Sequence, residues 1–318
     1  MPAGKIYFRL TMMPGGFISM LFGGRRGSNA APIYIPESPI SIPDIDCIGL
    51  IAGNGSFPLR FAEGAKSRGC SVIAVCHEGE TDPRISEVAD EVVWIKLGQF
   101  GKLISTFVNR DVKYAAMAGG INRIRAFGVR LDARGAALLA RLRSAKDDVI
   151  MRGIADELQK EGVMVVDSTI FMQDHLAPLG VLTRRAPNDV EAADIEIGIA
   201  AIRAMSSQDI GQVVVVKEGV VVAVEAIEGT DRTIARAGEL CGAGCVVVKF
   251  AKTTQDMRFD VPTIGVKTVM TMIKAKAKVL AVEAGRCIIM DREDVVALAE
   301  KNKIAIVGAN PLVDTAAG

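Results

Sequence analysis

The stretch Lys252-Thr253-Thr254-Gln255-Asp256-Met257-Arg258-Phe259-Asp260-Val261-Pro262-Thr263-Ile264-Gly265 sets two carboxylates, an arginine and a lysine around a Pro-Thr turn. Structural loops rarely need that mixture, whereas phosphate chemistry does: acidic side chains hold a divalent cation while Arg or Lys neutralises phosphoryl oxygens. A second acidic turn, Glu228-Gly229-Thr230-Asp231, precedes it and follows a Val-rich run that ends at Glu225. Gly229 permits the tight bend there, and acidic residues in such a turn are also ordinary surface chemistry. Asp260 resists that plainer account. Phe259 before it and Val261-Pro262 after it predict partial burial, and a part-buried carboxylate needs a cation nearby. The two segments together point to metal-assisted phosphoryl or pyrophosphate chemistry.

His77 and His175 are the two histidines of the chain. That scarcity speaks against Ser-His-Asp or Cys-His catalysis and against a multi-histidine metal centre, so carboxylates must carry any acid-base work. Oxygen ligands without histidine favour magnesium or manganese over zinc. The six cysteines form no Cys-x-x-Cys pair, so free thiols in a reducing cytoplasm are expected rather than zinc or disulfides.

The elements that must position these residues are legible in the hydrophobic pattern. Residues 48–52 form a buried strand, Gly53-Asn54-Gly55 a turn, and 59–68 a helix ended by Gly69. Strands at 71–76, 92–97 and 114–118, a helix at 99–109, a helical stretch at 134–161 and a closing strand at 163–166 continue the alternation. Such β–α alternation implies right-handed crossovers and a doubly wound parallel sheet spanning 45–172. Pro178, Gly180 and Pro187 mark 173–187 as a linker. Asn188-x-x-Glu191 starts a helix with a capping box, and Val213 to Lys217 and Val221 to Ala226 flank Glu218-Gly219 as a hairpin. Strands at 245–250, 279–282, 288–289 and 304–307, with helices near 232–240, 266–276 and 292–301, complete a second α/β domain over 188–311, before a tail at 312–318.

Gly53-Asn54-Gly55 follows a strand and opens a helix, so its backbone N–H groups suit a phosphate at the positive end of the helix. Gly119-Gly120 ends another strand, and ligands of open α/β sheets bind beyond strand carboxyl ends; the two turns outline a cleft. Pro58 stands where a dinucleotide fingerprint needs its third glycine, although Glu78 is placed for a ribose contact. Arg123, Arg125, Arg130, Arg134, Arg141, Arg143 and Lys146 crowd one region, as a phosphate or anionic-membrane contact or as a solvated helix face. Asp147-Asp148 either caps the next helix or lines the cleft.

Half of the 318 residues are apolar, 5% are aromatic, and the formal net charge is +1. This excludes bulk disorder and gives no electrostatic drive toward nucleic acid. No apolar run approaches the roughly 18 residues of a membrane span. Residues 1–44, rich in Pro and Gly, read as a mobile leader or a misassigned start, with Met12, Met13 and Met20 as alternative initiators.

The carriers Gly49-Leu50-Ile51-Ala52-Gly53-Asn54-Gly55-x-x-Pro58, Asp209-Ile210-Gly211-Gln212, Val224 to Asp231, Gln255 to Gly265 and Glu283-Ala284-Gly285-Arg286 make the chain resemble the LpxI-type UDP-2,3-diacylglucosamine pyrophosphatases of bacterial lipid A synthesis. The resemblance runs from about 48 to 308 and implies a Rossmann-like N-terminal domain, a C-terminal α/β catalytic domain, and magnesium-dependent hydrolysis of a UDP-linked diacyl amino sugar to UMP and 2,3-diacylglucosamine 1-phosphate. It implies that Asp260 is essential and that water attacks the β-phosphorus; a cytoplasmic enzyme, peripheral to the inner membrane, is the expectation. The chain departs from the pattern in its leader 1–44, in Gly119-Gly120-Ile121-Asn122-Arg123, which carries a glycine where a polar Asn is usual, and in Ala145-Lys146-Asp147-Asp148, which stands for Lys-Gly-Asp-Asp. On this basis Asp260, Asp231 and Asp256 are the candidate metal ligands. Asp260, Asp231, Glu228 and Arg258 are the candidate catalytic set. Gly53, Asn54, Gly55, Gly119, Gly120, Asp147, Asp148, Lys252, Gln255 and Thr263 are the candidate substrate contacts. A nicotinamide-dependent oxidoreductase using Gly53, Gly55 and Glu78, or a non-catalytic nucleotide-binding protein, are the rival readings. Oligomeric state is open.

Overall fold

The computed structural model describes residues 44–121, 129–142, 147–206, 208, 210–253 and 255–310. The expected leader up to residue 43, the tail 312–318, and Arg123, Arg125, Arg143 and Lys146 of the basic cluster lie outside the described residues, as do the side chains of Asp147 and Asp148.

The first half runs β1 (Cys47–Ala52), α1 (Phe57–Ser67), β2 (Ser71–His77), β3 (Glu91–Ile95), α2 (Phe100–Val108), β4 (Tyr114–Ala118), α3 (Ala133–Arg141), α4 (Asp147–Lys160) and β5 (Met164–Val165). All five strands are parallel in the order β3-β2-β1-β4-β5. Strand β1 is apolar throughout because both faces are covered: Ile48, Leu50 and Ala52 join Phe61 of α1, while Ile51 joins Leu103 and Phe107 of α2. The order reverses between β1 and β4, which makes that gap the topological switch point. The single helix expected at 134–161 is two helices, because Leu142 turns into extended backbone with ψ 135°.

The second half runs β6 (Gly180–Val181), α5 (Asp189–Ser206), β7 (Val213–Lys217), β8 (Val220–Val224), α6 (Thr230–Cys241), β9 (Val246–Lys249), β10 (Thr263–Ile264), α7 (Val266–Lys274), β11 (Val279–Glu283), β12 (Ile288–Ile289), α8 (Arg292–Lys301) and β13 (Ala305–Ala309). Its main sheet has the order β6-β13-β11-β9-β7-β8 and is parallel only across β9, β11 and β13. The segment expected as a linker therefore contributes β6 to this sheet. The architecture is the expected α/β fold: a doubly wound parallel sheet followed by a second α/β unit.

Two local devices are built as their residues dictate. Asn188 Oδ1 accepts from the Glu191 N–H and Glu191 Oε2 from the Asn188 N–H, both at 2.9 Å, a reciprocal capping box at the start of α5. The β7–β8 hairpin turns through Glu218 and Gly219 with φ of 49° and 82°. Asp194 of α5 holds it by accepting both N–H groups, at 2.9 and 2.7 Å.

Strands β10 and β12 form a short parallel pair on the seam between the halves. Alternation sends Val261, Ile288 and Met290 into the core around α1, while Ile264 and Ile289 enter the core of the second sheet. Both sheets are thus packed on the same short ladder. Among the described residues, no helix is long and apolar enough to cross a membrane.

Candidate active site

At the switch point the two glycine turns touch. The Gly53 N–H donates to Ala118 O at 2.8 Å and the Asn54 N–H to Gly120 O at 2.7 Å. A Cβ on Gly53 would stand 2.4 Å from Gly120 O, and one on Gly119, whose φ is +82°, 2.3 Å from Asn54 O. Gly53 and Gly119 are therefore demanded by the approach of two backbones, while Gly55, at φ +85°, has open space beside it. Asn54 Nδ2 donates to Glu80 Oε2 at 3.1 Å; Glu80, rather than the exposed Glu78, is the acid tied to this turn.

The 255–260 loop of the second half lies over the same edge. The Ser168 hydroxyl is 2.6 Å from Met117 O on β4 and 2.7 Å from Arg258 O, and the Ser168 N–H donates to Met257 O at 3.1 Å. Met257 packs on the core cluster of one face of the first sheet and Phe259 on that of the other, so the loop straddles the sheet end. Within it Arg258 grips Asp256 with Nε at 3.0 Å from Oδ1 and Nη2 at 2.8 Å from Oδ2. Arg152 of α4 reaches the same Oδ2 with Nη1 at 3.0 Å. Both guanidiniums sit over the Phe259 ring, at 4.7 Å for Arg258 and 6.0 Å for Arg152. The Arg258 hydrogen bonds hold the Asp256 carboxyl below its ordinary range.

Asp260 is exposed, which corrects the partial burial expected from its apolar neighbours: Phe259 and Val261 turn toward the core and leave the intervening side chain in solvent. Its Oδ2 accepts from Gln255 Nε2 at 2.6 Å, and its carbonyl from the same amide at 2.8 Å. Lys252 and Thr263 flank the loop; the Lys252 N–H lies 3.3 Å from Gln255 Oε1, and the Thr263 hydroxyl donates to Val261 O at 2.9 Å.

The acidic turn is tied to that loop through a buried lysine. Lys249, 6% exposed at the end of β9, donates to Thr230 Oγ1 at 3.0 Å and to Thr263 O at 2.9 Å. The Thr230 hydroxyl donates on to Glu225 Oε1 at 3.0 Å. Glu228 folds back on α6, where Oε1 accepts from Arg236 at 2.6 Å and Oε2 from the Ala226 N–H at 3.2 Å. Asp231 Oδ2 pairs with Lys267 Nζ at 2.8 Å. A cavity of about 200 Å³ beside Ala251 and Thr253 is lined by Ile199, Ile202 and Phe250 among apolar residues and by Arg203, Glu283 and Arg286 among charged ones. Burial raises the Glu283 carboxyl above its usual range, and Glu283 accepts from the Ala251 N–H at 2.8 Å.

The structure thus gathers Gln255, Asp256, Arg258 and Asp260 on the glycine-turn edge and links Thr230, the neighbour of Asp231, to Thr263 through Lys249. It does not converge the three expected metal ligands. Among the described residues no group of three or more His, Cys, Asp or Glu is arranged to hold an ion; Asp256 is taken by two arginines, Asp231 by Lys267 and one oxygen of Asp260 by Gln255. Arg134 and Arg141 of the basic cluster are ion-paired to Glu161 and Glu157, consistent with a helix face more than an anion site. Arg152, Ser168 and Lys249 are the residues that sequence reasoning missed. A lysine between Val248 and Phe250 was a signal of a buried cation; nothing in the chain near Arg152 or Ser168 marks a partner so distant.

Two α/β units are joined on one ladder, with a cationic and acidic loop laid over a parallel-sheet switch point. The LpxI N-terminal domain profile matches residues 47–175 and the LpxI C-terminal domain profile residues 178–307. The UDP-2,3-diacylglucosamine pyrophosphatase LpxI of Caulobacter vibrioides is 33% identical over 276 residues, 83% of this chain and 98% of that protein. The chain belongs to the LpxI family. Among solved structures, the biotin carboxylase domain of Hydrogenobacter thermophilus 2-oxoglutarate carboxylase overlaps 60% of this chain and 40% of its own at 12% identity, with a TM-score of 0.25. The biotin carboxylase subunit of a pyruvate carboxylase overlaps 62% and 42%, with a TM-score of 0.26. The chain spans less than half the length of both, and neither overlap bears on function.

Proposed function

We propose that this protein hydrolyses the pyrophosphate bridge of UDP-2,3-diacylglucosamine to UMP and 2,3-diacylglucosamine 1-phosphate in lipid A synthesis. The observation that carries the reading is the seating of the 255–260 loop on the switch point, where Ser168 joins Met117 to Arg258. A diphosphate lying between the glycine turns and this loop would meet backbone N–H groups at the start of α1 on one side and the Arg258 and Arg152 guanidiniums on the other. Planar guanidiniums match phosphoryl oxygens in fork geometry. Asp256 and the Phe259 ring hold both in place before substrate arrives, so little reorganisation is needed as charge develops.

Asp260 stands beside this pair with one oxygen held by Gln255 and its side chain open to solvent. In this reading it orients the attacking water and accepts its proton, while the bridging oxygen leaves with one phosphate. Magnesium is the cation the resemblance calls for, and manganese suits the same oxygen ligands. Among the described residues the carboxylates do not form a ligand set of three. Two acyl chains keep the substrate at a membrane surface, so the enzyme works peripherally on the inner membrane.

The test is phosphorus NMR of UDP-2,3-diacylglucosamine turnover with and without chelator, for wild type and Asp260→Ala. Release of UMP by wild type and its loss in a folded Asp260→Ala variant are expected. Full turnover by the variant would sink the assignment.

A further inference from the structure

A second concave surface lies at the other end of the C-terminal sheet. It is a cleft of about 770 Å³ whose charged walls are Arg184, Arg185, Lys278, Glu300, Lys301 and Lys303. The topology brings them together: Lys278 precedes β11, Lys303 precedes β13, and Arg184 and Arg185 follow β6, which runs antiparallel to β13. The 255–260 loop leaves the opposite end of the sheet, after β9. The length of β11 separates the two, roughly 16 Å at the usual strand rise.

The charges in the cleft do not balance. Arg185 is committed to Glu191 and to the Lys278 carbonyl, and Arg184 Nε lies 3.4 Å from Glu300 Oε2. Lys278, Lys301 and Lys303 pair with no carboxylate among the described residues. Helix C-termini attract lysines, and the end of α8 accounts for one of them. It does not account for the backbone. Lys303 adopts a φ of 57°, a left-handed conformation that glycine fills without strain at a helix C-terminus. A lysine there brings a charge to the cleft wall at a position where glycine would relax the turn.

We propose that this cleft is a second anion site, taking a phosphate-bearing ligand at a distance from the catalytic edge. Its volume lies within the roughly 300–1,000 Å³ of small-molecule sites, and its three unpaired ammonium groups suit a multiply charged phosphate as point charges. The proposal is independent of the substrate assigned above.

The test titrates inorganic phosphate into the full chain, follows backbone amide shifts, and uses chloride at matched ionic strength as control. Saturable shifts at Lys278, Lys303 and Ile304 are expected with phosphate and not with chloride. Lys301→Glu/Lys303→Glu should weaken that binding at least tenfold and leave turnover unchanged. Lys303→Gly, which relieves the turn, should raise the melting temperature while weakening phosphate binding, and so separates a charge role from a folding role. Sedimentation with phosphatidylglycerol against phosphatidylcholine vesicles assigns the source: selective loss of phosphatidylglycerol binding in the double variant identifies a lipid head group, and unchanged sedimentation identifies a free phosphate compound. Equal shifts with chloride, or phosphate binding unaltered in the double variant, would overturn the site.

Discussion

Arg152 Nη1, on a helix of the N-terminal half, stands 3.0 Å from Asp256 Oδ2, in the 255–260 loop of the C-terminal half. The pair joins the two halves at the candidate active site and places a second guanidinium beside Arg258.

Removing either guanidinium is expected to remove stabilisation of charge that develops on the phosphoryl oxygens. Arg258→Ala should lower kcat about a hundredfold, or ~3 kcal/mol of barrier. Arg258→Lys should not restore it, because an ammonium cannot reproduce the two-pronged grip on Asp256. Steady-state kinetics of UMP release decide this; a lysine variant with full kcat would show that charge alone suffices.

Asp260→Ala is expected to separate activity from stability. The side chain is exposed, so its loss should change folding free energy by no more than about 0.5 kcal/mol, as for ordinary surface substitutions. Denaturant unfolding with a turnover assay on the same sample measures both. A large stability loss would mean that Asp260 is structural.

Lys249→Met should act in the opposite way. Its ammonium is buried between Thr230 Oγ1 and Thr263 O, with Glu225 one hydroxyl beyond. Deleting the ammonium leaves Thr230 Oγ1 and Thr263 O without their charged donor, at a cost of about 2–3 kcal/mol. Thr230→Val should cost only about 1 kcal/mol, the worth of a typical hydrogen bond. Unfolding midpoints of the two variants test the order.

Asp256 sets an acid limb. Its folded-state pKa is depressed, first by the Arg258 hydrogen bonds and further by the Arg152 charge. A depressed carboxylate contributes stability above its unfolded pKa and loses it as pH falls through the folded value. Wild type should therefore lose this contribution only as pH drops from about 3.8 downward, whereas Asp256→Asn should show a flatter melting profile over the same range. Parallel melting curves at pH 7 and pH 3 check it.

Local devices were readable because their partners are near in sequence. The Asn188–Glu191 capping box and the Glu218-Gly219 turn each follow from a few adjacent residues, and alternating β and α patterns made the doubly wound sheet legible. The acidic and cationic loop announced phosphate chemistry for the same reason: Asp256, Arg258 and Asp260 are neighbours in the chain. Burial was another matter. Phe259 and Val261 are apolar as read, yet they enter cores that exclude the side chain between them, and Asp260 is left in water.

By itself, then, the order of amino acids determined the α/β class, the two-unit organisation, the glycine turns and the family, since all of these rest on short-range periodicity and contiguous motifs. Only the tertiary structure decided that Ser168 seats the loop on β4, that Arg152 crosses to Asp256, that Lys249 joins the two acidic motifs, and that the three acids expected around one ion have separate partners. Each of those contacts closes a long loop whose entropic cost is met by two packed sheets and the short ladder between them, and no local pattern in the chain reports which distant residue will be there.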